Sequence, residues 1–142
     1  MVCLGSDYGY VLEESLMLRD SLRQLSSSIL QLHKALLDQE RARFETEKGV
    51  VGNPFKVLEL VMHDPFFAWL RPLSAFVVKI DEAIDDDTVE PSAGAILREG
   101  EALLGGAGEL ASRLSSIMQT DVDVAVLYGA VRHNLRQIAP VN

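Results

Sequence analysis

Three histidines, His33, His63 and His133, are spread over the chain. Three imidazoles, one from each of three helices, would be one way to build a metal site inside a helical bundle. Carboxylates stand at helical spacing to two of them. Glu40 lies seven residues, two turns, beyond His33, and Glu59 lies four residues before His63. Imidazole with carboxylate and an open position suits non-haem iron. The metal-ligand candidates are therefore His33, Glu40, Glu59, His63 and His133. The bland reading of the same residues is stronger. Glu59 and His63 at i, i+4 make an ordinary helix-surface pair, and His63 near a helix C-terminus gains from the dipole when charged. Neither the Glu-x-x-His signature of di-iron carboxylate bundles nor His-Glu-x-x-His occurs.

A second group sits in His63-Asp64-Pro65-Phe66-Phe67-Ala68-Trp69-Leu70-Arg71-Pro72-Leu73-Ser74, which holds the only tryptophan, two of the five phenylalanines and two of the five prolines. Aromatics supply the largest buried area per residue, so core organisation is expected here. Arg71 in apolar company can stack on a ring, pair with Asp64 or bind an anion, and the structural ion pair is favoured. His63, Trp69 and Arg71 are the ligand-binding candidates.

Other chemistries are poorly represented. One cysteine, Cys3, excludes an internal disulfide and a cysteine metal cluster. There is no Gly-x-Ser-x-Gly elbow. Gly105-Gly106-Ala107-Gly108 lacks the strand and lysine of a phosphate loop and reads as a helix–helix turn. The acidic Asp85-Asp86-Asp87 lacks the spaced oxygen ligands of a calcium loop and reads as a solvated turn. No cofactor is indicated.

The elements that must position these residues follow from periodicity. Leu18, Leu22, Leu25, Ile29, Leu32 and Leu36 alternate in steps of four and three, the seam of a helix packing on helices. Leu30, Leu37 and Phe44 add a neighbouring row. One long helix from residue 7 or 12 to residue 47 is expected, with Ser26-Ser27-Ser28 a weak spot where it breaks or bends. After a glycine-bearing loop, Asn53-Pro54 reads as a cap with proline in the first turn, presenting Phe55, Leu58 and Val61 or Met62 inward. Asp64-Pro65 repeats the device. The next helix carries Phe66 to Ile84 at spacings of three and four, and Pro72 makes it kink or restart after Arg71. Further helices are expected from Pro91 to Leu104, from Glu109 to Gln119, and from a Thr120-Asp121 cap to Ile138. Val122-Val124-Val126 alternates like a strand, but no partner strand is visible, so helix is retained.

These elements predict one all-α domain over residues 1–142, an up-and-down bundle of four main helices with shorter inserted ones, and flexible ends at 1–6 and 140–142. With 142 residues, such a chain can bury its own core. A net charge of -8 and scattered basic residues argue against nucleic acid and anionic membrane surfaces. No secretory signal or spanning helix is visible.

His33 to Arg41, Asp64 to Ser74 and the trailing Ile80-Asp81-Glu82 together resemble a set of small uncharacterised bacterial proteins. The Phe-Ala-Trp-Leu-Arg-Pro-Leu-Ser string is the specific mark. The resemblance implies a bacterial, cytoplasmic, stand-alone helical protein and brings no activity, cofactor or partner. The reading is thus an acidic, non-catalytic helical protein that forms a homodimer and takes a protein partner. The alternative is a metal- or small-ligand-binding bundle, an enzyme in its strongest form, using His33, Glu40, His63 and Arg71.

Overall fold

The computed structural model describes residues 2–138, with side chains from residue 13 onward. The expected flexible ends, and Cys3, fall outside the residues whose side chains are described. Six α-helices and one 3-10 helix make up the described residues, and no strand occurs among them.

Helix α1 runs from Val2 to Lys48. Its seam is the axis of the core: Leu22, Leu25, Ile29, Leu32 and Leu36 are all buried. The expected break at Ser26-Ser27-Ser28 does not occur. Two of those hydroxyls have partners that suit an unbroken helix. Ser26 donates to Asp81 Oδ1 at 2.7 Å, and Ser28 donates back to the Leu25 carbonyl at 2.8 Å. A small side chain there also lets a neighbouring helix approach, which outweighs the modest propensity cost. Gly49, at φ 98°, ends α1 in the left-handed region, where glycine meets no Cβ penalty.

Helix α2 spans Pro54–His63, capped by Asn53, whose side chain accepts from Phe55 N. Its orientation corrects the sequence reading. Phe55, Leu58 and Met62 point outward, 82%, 57% and 54% exposed, while Val57, Leu60 and Val61 pack on the core. The segment Pro-Phe-Lys-Val-Leu-Glu-Leu-Val-Met-His is apolar on nearly every side, so periodicity alone cannot select the inner face.

Asp64 then caps a 3-10 helix, Pro65–Leu70, by accepting from Phe66 N at 2.9 Å. It inserts Phe67, Trp69 and Leu70 into the core. Helix α3, Arg71–Asp85, starts afresh with proline in its first turn. Of the two expected outcomes at Pro72, the restart is the one observed. Pro72 has no N–H to donate back, and its ring opposes a continuous α-helix through Ala68. Phe44, Phe66 and Phe67 close a ring cluster with centroids 5.2 to 5.6 Å apart.

Helix α4 (Ala93–Gly105), α5 (Glu109–Met118) and α6 (Val122–Gln137) complete the chain. Ser92 and Asp121 supply the caps of α4 and α6, accepting from Ala95 N and Val124 N. Side-chain pairs fix directions. His33 meets Ser74 while Ser26 meets Asp81, so α3 runs antiparallel to α1. Gln39 meets Asp121 while Asn134 reaches the Gln24 carbonyl, so α6 does the same on another face. At the far end Arg19 gathers four carbonyls: Nη1 donates to Ala83 and Ile84, Nη2 to Asp86 and Val89. That guanidinium satisfies the orphan acceptors at the end of α3.

Candidate functional site

The turn into the 3-10 helix places Arg71 under α2. Its Nε donates to the Val61 carbonyl at 3.1 Å, and its Nη2 donates to the Asp64 carbonyl at 2.5 Å. The expected ion pair with the Asp64 carboxylate does not form among the described residues: the guanidinium is taken up by two backbone carbonyls, while the carboxylate caps the 3-10 helix at Phe66 N. Arg71 ties the C-terminal end of α2 to the start of α3. His63, the last residue of α2, is exposed.

The metal candidates do not assemble. Among the described residues no three of His, Cys, Asp and Glu come together as a metal-binding group. Glu59, His63 and His133 are exposed. His33 is half-buried between α1 and α3, its Nε2 2.8 Å from Ser74 Oγ, and burial pushes its pKa below the ordinary value of 6.5. Serine and histidine at that distance are two parts of a nucleophilic pair. Here both sit in the middle of packed helices and line none of the main surface clefts among the described residues. The arrangement closes a helix–helix contact.

Glu40, the remaining metal candidate, lies elsewhere and in different company. It is 6% exposed, on the same long helix as His33 but on the α5 side. Its Oε1 accepts from Arg43 Nε and Nη2 at 3.2 and 2.5 Å. Arg113, on α5, approaches the same oxygen to 3.8 Å. The Arg113 guanidinium stands 5.0 Å from the centre of the Trp69 ring, and the Arg43 guanidinium 4.3 Å from that of Phe66. Glu40, Arg43, Trp69 and Arg113, with Gln39 and Ser116, line an open cleft of about 230 Å³. So Glu40 and Trp69, expected in two different sites, meet in one. Arg43 and Arg113 are absent from the sequence-level candidates. Arg43 had a legible signal, being one turn beyond Glu40, whereas Arg113 is joined to it only by the packing of α5.

Two further features stand out. Trp69 is 5% exposed, yet its indole N–H has no acceptor among the described residues. The outer face of α2 leaves Phe55, Leu58 and Met62 uncovered, next to Val50 at 84% exposure. No helix among the described residues is long and apolar enough to cross a membrane. Comparison with protein-family models, curated proteins and solved structures finds no match.

Proposed function

We propose that this chain is a soluble, non-catalytic bundle of four main helices, α1, α3, α4 and α6 with α2 and α5 inserted, that associates with a second copy of itself. The carrying observation is the outer face of α2, where Phe55, Leu58 and Met62 form an uncovered apolar row. The Leu/Ile seam of α1 supports no contact between chains, because its central residues are fully buried within one chain. The dimer therefore uses α2.

A two-fold antiparallel pairing of α2 suits its charges. Phe55 faces Met62 of the second copy and the two Leu58 side chains meet near the axis. The same flank of both helices comes together, as an isologous contact requires. That flank carries Lys56 and Glu59, so each lysine lies against the other copy's glutamate. The competing reading, a metal or small-ligand site built on His33, Glu40, His63 and Arg71, has less support, because these four share no cleft among the described residues. A bacterial and cytoplasmic setting belongs to the same proposal.

Light scattering at micromolar concentration tests it. The wild type is expected at twice the chain mass of 15.6 kDa. Phe55→Ser with Leu58→Gln is expected to return a monomer while shifting its stability by no more than about 0.5 kcal/mol, as for exposed positions. A wild type that is monomeric throughout that range overturns the proposal.

A further inference from the structure

The Glu40–Trp69 cleft holds a cation that is weakly bound by its neighbours. Arg113 makes no hydrogen bond among the described residues. Its nearest carboxylate oxygens, on Glu40 and Glu109, are 3.8 and 3.9 Å away, and its side chain is 40% exposed. Arg43, by contrast, takes Glu40 Oε1 with two donors. The second Glu40 oxygen accepts no hydrogen bond among the described residues. The Trp69 ring lines the same cleft, and indole is the best aromatic surface for a cation. The charges agree. Glu40, Glu47 and Glu109 against Arg43 leave two negative charges, of which Arg113 neutralises one from a loose position.

The tryptophan bears on the site through its ring face and not its N–H, to which a guanidinium offers no acceptor. A buried indole N–H without an acceptor costs stability, and a phenylalanine or leucine would fill core volume without that cost. Residues that break a local rule in this manner concentrate where a protein does something other than fold. The cleft is smaller than a typical site for a drug-sized ligand and fits a head group.

We propose that this cleft is a binding site for a small guanidinium-bearing molecule, and that Arg113 is its built-in occupant, which the ligand displaces from between Glu40 and the Trp69 ring. Trp69 is the only tryptophan, so its fluorescence reads the site directly in the full-length chain. The probe is N-methylguanidinium, with uncharged N-methylurea of the same shape as its control. Saturable quenching by N-methylguanidinium alone is expected in the wild type. Binding is about tenfold tighter in Arg113→Ala, the scale of one lost cation–ring contact, and is abolished in Arg113→Ala with Glu40→Gln. Circular dichroism confirms that each variant is folded, and Arg113→Gln, which retains most of the side-chain stem, replaces Arg113→Ala if that variant is not. Equal responses to the two probes, no saturation in wild type and Arg113 variants alike, or binding unaffected by Glu40→Gln each overturns the proposal.

Discussion

His33 shows how a side chain of catalytic type is absorbed by packing. Its partial burial favours the neutral imidazole. The folded-state pKa therefore lies below the 6.5 of an unfolded histidine. Between those two values the unfolded chain binds more protons than the folded one, so folding stability falls as pH falls through that window and is fully present above it. Urea denaturation of the wild type at pH 7.5 and pH 5 is expected to show a larger loss than that of His33→Gln, in which the exposed His63 and His133 are unchanged. Equal losses in the two proteins would remove His33 from the acid response. At this scale the sequence was informative about residue types and silent about neighbours. Glu40 and Trp69 were both identifiable as unusual. Their shared cleft was not, because Arg113 reaches it from α5, about 70 residues along the chain.

At the scale of elements, caps and prolines were the most legible features. Asn53-Pro54, Asp64-Pro65 and Asp121 each start a helix where the sequence indicates. These signals are local, needing only one side chain and the next few backbone N–H groups. Which face of α2 turns inward was not legible, since that choice depends on what Arg71 and the aromatic cluster hold beneath it. The 3-10 geometry of Pro65–Leu70 was equally hidden behind spacings that an α-helix also satisfies. Close approach between elements is visible at Gly100 in α4. A Cβ there would lie 2.9 Å from Leu135 Cδ1 and 3.2 Å from Phe76 Cζ. Gly100→Ala gains about 1 kcal/mol of helix propensity and meets an overpacking cost of about 1–3 kcal/mol. Leu135 and Phe76 are both buried with little room to yield, so a net loss of about 1 kcal/mol is expected in chemical denaturation. A stabilised variant would mean that Leu135 can repack.

For the whole molecule, the all-α class and the dominance of one long helix follow from the seam from Leu18 to Leu36, whose seven-residue repeat runs long enough to be unambiguous. What the seam packs against is set by tertiary contacts with no sequence signature. Arg19 is the clearest case, binding α1 to the end of α3 and the loop beyond through four carbonyls. Arg19→Met keeps the apolar stem and removes every donor. A loss of about 2–3 kcal/mol is expected from urea denaturation, the range for bonds to a charged group. Arg19→Lys should recover less than half of it, because an ammonium cannot match the planar fork. No measurable loss in Arg19→Met would mean that water serves those carbonyls equally well.

The antiparallel pairing of α1 with α6 also sets a timetable. About 70 residues separate Lys48 from Val122. During synthesis at roughly 5–20 residues per second, the leucine seam waits on the order of 4–15 s for α6, the second of the two helices that cover it, α3 being the first. For that interval the part of the seam that α6 covers stays open. The delay makes the newborn protein, more than the finished one, the form with exposed apolar surface.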